Sequence, residues 1–503
     1  MNISVADILV CIQGVTSLFK AEVNILQLVF IRATELVGLA FEQLDDQLYE
    51  KAKEEAKQKH QTIKSLGRDS RTISFLFGTV QFKRRYIQMA DGSRVYLLDQ
   101  QLGIQPHRQF SQLLMEKISD LTANGTMRLV AKAINSLTNC SISAPAVDRI
   151  AQGTGSDIAL VRIQQTKEEE ETEPSQRKAL RVLYIEGDAF LVRGRCTKGK
   201  KHRGHRRRNV PFTHTVHRFQ IYEGIEKNGS RHTLVNRHDV SGLSQREAIR
   251  ELEAYLGAHY DLSQTTVFTG SDNGSGYEPE VFANIVANAA KHIHVLDRYH
   301  LNNKITMRLA GFPEPVIKKV RKAVYTANWD ALTQALDTCQ SLAVNDSSSE
   351  LGRPSDRAED VRLLRGYLER NWVSIKPIAD PALHESIHSL GCCESNHRRY
   401  TYRLKREGRA WSKRGLEAML RIIDCEQNED LIETLNETEM LGTTFAPEVA
   451  ETAEDDVNLQ ALGLFKAQPT THVGVRHASL GGNVPASSPM GQLNKKLNMG
   501  GLF

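Results

Sequence analysis

Cysteine is scarce and unpatterned in this chain. The seven among 503 residues form no CxxC pair and no regular array, which argues against a disulfide framework or a structural zinc and favours a reducing, cytoplasmic setting. Apolar runs free of charge are missing too. The most apolar one, "VNILQLVFIRATELVGLAFEQ", carries Arg32 and Glu35 in its middle, so no membrane span is expected. The opening "MNISVADILVCIQG" lacks a basic start and a small-residue cleavage site, so no secretory signal is expected. No internal repeat is present. The net charge of +5 is small for this length, so basicity matters only where it clusters.

What is present has the composition of a folded protein, 40% hydrophobic and 25% charged, with length for two to four domains. Residues 1–66 read as a helical region ending in the charged "YEKAKEEAKQKHQTIK". Residues 67–163 read as a β-hairpin turning at Asp91-Gly92, followed by three short helices. Helices of that kind suit a helix-turn-helix reader of DNA. The acidic "QQTKEEEETEPSQRK" marks an exposed hinge at 164–179. From 180 to 312 strands dominate, first three in a meander and then two alternating with helices, which implies a mixed sheet packed against helices. Residues 313–388 are helical in pattern, 389–438 form further helices, and 439–503 lack periodicity and are expected to be disordered.

Three carboxylates fall where such a sheet gathers ligands, beyond the carboxyl ends of its strands. Asp188 closes the first strand in "LYIEGDAFLV", Asp272 follows the fourth in "VFTGSDNGSG", and Glu394 opens a helix in "GCCESNHRRYTYRLKREG". Oxygen ligands of this kind suit magnesium. Two ions so held, with manganese able to substitute, would assist in-line displacement at a phosphodiester. Glu186 shares a strand face with Asp188 and is either an outer-layer group or an alternative ligand.

A polyanionic substrate is suggested by what surrounds these acids. Nine basic residues follow Asp188: Arg193, Arg195, Lys198, Lys200, Lys201, Arg203, Arg206, Arg207 and Arg208. A solvated loop is the plainer reading of that cluster alone. In "HRRYTYRLKREGRAWSKRG", Arg398, Arg399, Arg403, Lys405 and Arg406 alternate with Tyr400, Tyr402 and Trp411, a mixture suited to phosphate contacts and base stacking. An amphipathic surface helix would carry the same pattern. In "VLDRYHLNNKI", Asp297 and His300 either support the metal site or simply cap a helix.

The ordered set "LYIEGDAFLV", "GSDNGSG", "LDRYHLNNKI" and "CCESNHRRYTYRLKREGRAWSKRGLEAM" resembles the ISLre-two family of bacterial insertion-sequence transposases, in the wider Mutator-like group. "FLFGTVQFKRRYI" and "LLDQQLGI" resemble the segment ahead of that family's catalytic core, and the likeness spans roughly residues 70 to 425. The resemblance implies a ribonuclease-H-like α/β core with an Asp-Asp-Glu triad, broken by an all-helical insertion. By motif the triad falls on Asp188, Asp272 and Glu394, and Asp297 with His300 match the family's acid-x-x-His element as a strand-end support. An alternative alignment makes Asp297 the second acid. Ala189 and Asn273 stand where the family more often has glycine.

The activity so implied is DNA transposition: strand cleavage at an element end, then transfer of the freed 3′-hydroxyl to target DNA. The partners are element ends and target DNA, handled by a homodimer or larger assembly near a bacterial nucleoid. A nuclease of the same fold without strand transfer, or an inactive DNA-binding regulator, are the alternatives.

Overall fold

The computed structural model describes residues 3–171, 177–195, 197–198, 209–210, 212–229, 231–345 and 354–442. The short helix α1 (Val5–Ile12) is capped by Ser4, whose side chain exchanges hydrogen bonds with Asp7. The 41-residue helix α2 (Leu18–Gln58) follows. Its second half lies on a β-hairpin of β1 (Lys64–Phe75) and β2 (Gly78–Gln88), burying Ile73, Val80 and Phe82 against Val37, Phe41 and Leu44. The hairpin turns at residues 76–77, not at Asp91-Gly92. The latter turn exists, with Gly92 at φ +87°, but it leads only to the two-residue strand Arg94–Val95. By length and composition α2 could cross a membrane, contrary to expectation, and its most apolar stretch is only 6% buried, while Val37, Phe41 and Leu44 pack on the hairpin.

Helices α3 (Gln112–Asn124), α4 (Met127–Leu137) and α5 (Ala144–Glu171) share a small apolar core. The third is not short. It runs 28 residues through the expected hinge as far as Glu171, because its acidic end finds partners: Arg250 takes both oxygens of Glu170 at 2.7 Å. Residues 172–176 of the expected hinge lie outside the described residues.

The sheet then assembles from β3 (Val182–Arg193), β4 (Thr213–Tyr222), β5 (His238–Gly242), β6 (Thr266–Ser271) and β7 (Lys291–Leu296), in the order β5-β4-β3-β6-β7. The first three strands are antiparallel neighbours, whereas β6 and β7 run parallel to β3. The meander differs in one place from expectation: Gly224–Asn228 and Arg231–Val235 form a separate two-stranded ribbon, and β5 begins only at His238. All but the first residue of β6 are buried, as interior strands of a covered sheet require. One face packs on α6 (Gln245–His259), opened by Ser244, and on α7 (Pro279–Ile285).

The other face carries α8 (Arg298–Arg308) and the helical segment α9 (Glu314–Tyr325), α10 (Trp329–Asn345) and α11 (Pro354–Arg370). The chain returns to the sheet through α12 (Cys392–Lys405), α13 (Lys413–Asn428) and α14 (Leu431–Gly442). Residues 443–503, where disorder was expected, lie outside the described residues.

Helices α5 and α13 approach so closely that a Cβ on Gly155 would sit 2.4 Å from the Ala418 Cα. Neither backbone can yield without moving its helix. Gly155→Ala is therefore expected to lower stability by about 1–3 kcal/mol, as overpacking does, and chemical denaturation would register the shift.

Candidate active site

Strand register brings the first two acids together. Strand β3 pairs with β6 from Val182 opposite Thr266 to Glu186 opposite Gly270, and with β4 as far as Arg193 opposite Thr213. Past Glu186 no strand among the described residues pairs with β3 on its β6 side. Asp272, two residues beyond Gly270, comes level with Asp188, two residues beyond Glu186. Between the two strand acids Gly187 faces the opposite side, where a Cβ would lie 2.8 Å from the Phe219 ring and 2.9 Å from that of Phe282.

Glu186 does not face the cleft. Its buried carboxylate accepts the N–H groups of Gly391, Cys392 and Cys393 at 3.1, 3.1 and 3.0 Å, and the Tyr222 hydroxyl also donates to it. These are the orphan donors at the start of α12, where an anion is favoured by both hydrogen bonding and the helix dipole. Burial pushes the Glu186 carboxyl up, while the Tyr222 and backbone donors oppose that shift. Strand β4 adds to the clamp from one face: Arg218 donates to the Cys393 carbonyl at 3.1 Å, Gln220 accepts from Asn396 at 2.9 Å, and Tyr222 donates to the Ser389 carbonyl at 2.8 Å. The outcome is that Glu394, one residue past the clamped turn, sits at a fixed height beside Asp188.

A fourth side chain completes the group. His397, 5% exposed, places Nδ1 3.6 Å from Asp188 Oδ2 and 3.4 Å from Glu394 Oε2, with its ring edge-on to Phe190. Sequence reading missed it, although Glu394-x-x-His397 is the i, i+3 spacing that puts two ligands on one helix face. Single ligand atoms from Asp188, Glu394 and His397 lie within 4.8 Å of one another. Asp272 and His300 line the same cleft. Burial raises the Asp188 carboxyl despite the neighbouring His397, whereas the His397 hydrogen bond holds Glu394 below its usual range. The donor set fits a divalent cation, since carboxylate oxygens suit magnesium and manganese and one imidazole adds a borderline nitrogen donor.

The Asp272 loop is held from beneath. Asn273, in the left-handed region at φ +53°, donates to Asn371 at 2.8 Å and Ser374 at 3.3 Å, and lies 2.8 Å from His294 Nε2. His294 in turn lies 2.7 Å from Thr269, and burial pushes its pKa down to about 3, leaving a neutral ring. Gly274 N–H donates to Asp272 Oδ1 at 2.8 Å. The helical segment thus ties directly to the residue after the second acid. Asp297 caps α8, accepting the His300 N–H at 2.9 Å, and pairs with the His300 ring at 3.3 Å. That hydrogen bond to Asp297 raises His300 to about 9, so it enters the cleft as a cation. For Asp297 the same partner outweighs burial and holds its carboxyl low.

The expected DNA contacts divide. Arg398, Thr401 and Lys405 line the cleft beside Glu394 along one face of α12, with Lys405 Nζ 5.0 Å from the Phe190 ring centre. Arg193 and Arg195 are exposed, Arg399 donates to Gln427 at 2.6 Å, and Arg406 stacks on Tyr402. Arg403 and Trp411 are corrected to interior roles. Arg403 is 3% exposed, donates to the Thr122 carbonyl and packs on the Trp411 ring. Trp411 donates its indole N–H to the Leu404 carbonyl at 2.9 Å, and its backbone bridges Arg193 and Arg195. It therefore fastens the base of the basic loop to α12 and offers no ring to a base. Tyr400 is buried too, donating to Asp424 at 2.6 Å. The side chain of Lys198, together with Lys200, Lys201, Arg203, Arg206, Arg207 and Arg208, lies outside the described residues.

A model described as an uncharacterised protein family, UPF0236, matches residues 15–437. A protein of Streptococcus gallolyticus named "UPF0236 protein in vanSb 3'region" is 33% identical over 431 residues, covering 85% of this chain and 86% of that protein. Among solved structures, a chain of a Drosophila P element transposase strand transfer complex matches at 10% identity with a TM-score of 0.26, over 64% of this chain and 93% of that one.

The clamp makes a direct forecast. Glu186→Ala would leave three N–H groups without their acceptor, and the buried one of Cys393 alone costs about 1–3 kcal/mol. Hydrogen exchange of residues 391–393 should accelerate far more than that of β6; equal rates in variant and parent would show that the carboxylate does not hold the helix.

Proposed function

The chain belongs to the uncharacterised family UPF0236, and from its cleft we propose that it is a DNA transposase that cuts at an element end and joins the 3′-hydroxyl to target DNA. The observation that carries the reading is the convergence of Asp188, Asp272, Glu394 and His397 at one cleft whose rim bears Arg398, Thr401 and Lys405. Acids that could bind a divalent cation are common. Acids beside a basic strip on the same helix face fit a phosphodiester. The sheet, three antiparallel strands followed by two parallel ones with a helical segment ahead of the last acid, supports a ribonuclease-H-like core.

Asp188, Asp272 and Glu394 would hold magnesium, two ions in the full site, with His397 as a nitrogen donor that also admits manganese. Bound there, the ions supply charge opposite the phosphate and activate the attacking oxygen. The chain's own side chains do the rest. Arg398 and Lys405 neutralise the phosphates flanking the scissile bond, and Thr401 donates between them. His300, cationic through Asp297, offsets the repulsion of Asp188 and Asp272 before substrate enters. Asn273 keeps Asp272 level with Asp188. Helices α3 to α5 with the β1–β2 hairpin are the surface assigned to element-end recognition, and the work is done on DNA in a bacterial cytoplasm.

Purified protein with a labelled element end and magnesium should nick the end and, with a target plasmid, give joined products. Asp188→Asn and Glu394→Gln should each lower nicking at least a hundredfold while leaving DNA affinity within a few-fold, and a chelator should abolish cutting in the parent. Nicks without joined products would reduce the activity to that of a nuclease. Undiminished cutting by both variants would refute the site.

A further inference from the structure

A chain of hydrogen bonds runs beneath Asp272, and its direction is fixed at one end by a group that can only accept. The main-chain carbonyl of Tyr367, in the last turn of α11, takes the side-chain N–H of Asn371 at 2.8 Å. Asn371 Oδ1 is therefore the atom turned towards Asn273, which donates from Nδ2 at 2.8 Å. That leaves Asn273 Oδ1 as an acceptor, and His294 Nε2 lies 2.8 Å from it. Burial holds the His294 ring neutral, its pKa pushed down to about 3. The ring must then carry its one hydrogen on Nε2 and accept on Nδ1, where the Thr269 hydroxyl lies at 2.7 Å. With its hydrogen committed there, Thr269 accepts from His292 Nε2 at 2.8 Å. One polarity satisfies every link from α11 to the edge strand β7. The reverse would set Asn371 Oδ1 against the Tyr367 carbonyl.

We infer that His294 is a positioning residue for the second acid, acting through its Nε2–H as the donor that sets the Asn273 amide. Its consequence for metal binding rests on the cleft reading above; its geometry does not. Asn273 stands in the left-handed region at φ +53°, which asparagine visits only with local hydrogen bonds to support it. Its amide nitrogen has two partners, Asn371 and, at 3.3 Å, Ser374. Its amide oxygen has one committed donor. Ser271 Oγ lies 3.1 Å from that oxygen and 3.4 Å from His294 Nε2. The single hydroxyl hydrogen of Ser271, however, goes to the Tyr277 carbonyl at 2.6 Å, and its oxygen accepts the Asn273 N–H at 3.1 Å. His294 is thus the donor left to Asn273 Oδ1 among the described residues. Without it the amide is free to turn, and turning breaks both bonds to the segment at the end of α11. Asp272 is the residue before, tied into the same loop by the Gly274 N–H at 2.8 Å, so it would lose its height beside Asp188. The ring itself is held against the buried Phe282, 5.2 Å between centres.

Histidine-selective nitrogen-15 spectra of the metal-free chain should show His294 and His292 both protonated at Nε2. His294→Phe keeps a ring and removes both nitrogens, whereas His294→Gln keeps a side-chain N–H donor. Manganese binding, read by titration calorimetry, should weaken roughly tenfold or more in His294→Phe and stay within about threefold of the parent in His294→Gln. DNA affinity should be the same in all three proteins. A parent protonated at His294 Nδ1, a folded His294→Phe that binds manganese like the parent, or a His294→Gln as weak as His294→Phe would each overturn the proposal. If His294→Phe does not fold, the nitrogen spectra of the parent decide. A parent that binds no manganese would refute the metal site instead, and the backbone amides of residues 272–274 would then judge His294. They should shift in His294→Phe and hold in His294→Gln; no shift in either overturns the proposal.

Discussion

Three backbone N–H groups at the start of one helix, closed on a carboxylate from the first strand of the sheet, fix the geometry of the cleft. Glu186 and Asp188 stand two residues apart on the same face of β3. The first takes the N-terminus of α12 and the second faces the open side, so the helix cannot shift without carrying Glu394 and His397 away from Asp188. The arrangement has a cost. A carboxylate is buried, 2% exposed, and it is tolerable only because four hydrogen-bond donors and a helix dipole meet it together.

Around that contact the polar interior is dense and directional. Arg218, Gln220 and Tyr222 alternate along β4 and reach α12 from one side, while Asp424 on α13 receives Tyr400 and Ser241. Buried polar contacts with fixed directions permit few alternative packings, although Arg218 Nε and Gln220 Nε2 have no partner among the described residues. The second acid is held by separate means, Asn273 gripping the helical segment through Asn371 and Ser374. The cleft thus has two halves, one fastened to the sheet and one to the inserted helices.

Much of the architecture was legible in the sequence. The strands that bring Asp188 and Asp272 to the cleft announce themselves as apolar runs, although β3 continues past Asp188 to Arg193 where it was expected to close, and the Ser244 cap marks its helix. The hairpin turn was misplaced because Asp91-Gly92 is the stronger local turn signal, whereas Leu76-Phe77 carries no turn residue and only Gly78, at φ +136°, follows the bend. The acidic run after residue 164 looked like a hinge because pairing with Arg250, eighty residues on, leaves no local trace. Site roles were harder still. Glu186 and Asp188 are the same chemistry in the same strand, and only the arrival of α12 separates them. Arg403 and Trp411 have the composition of a nucleic-acid surface but lie inside, since basic and aromatic alternation reads alike on either side of a helix. His397 stands at i+3 from Glu394, but a histidine on a basic helix carries no mark in the sequence that separates a ligand from a packed ring, and only its burial against Asp188 does so.

The central claim is that Asp188, Asp272 and Glu394 share bound divalent ions. Crystals grown with manganese and an element-end DNA, measured at the manganese absorption edge, test it most directly. Anomalous density bonded to the carboxylates of all three residues, with the DNA backbone along Arg398 and Lys405, is the predicted result. Manganese elsewhere, or bound by Asp297 in place of Asp272, would contradict the account.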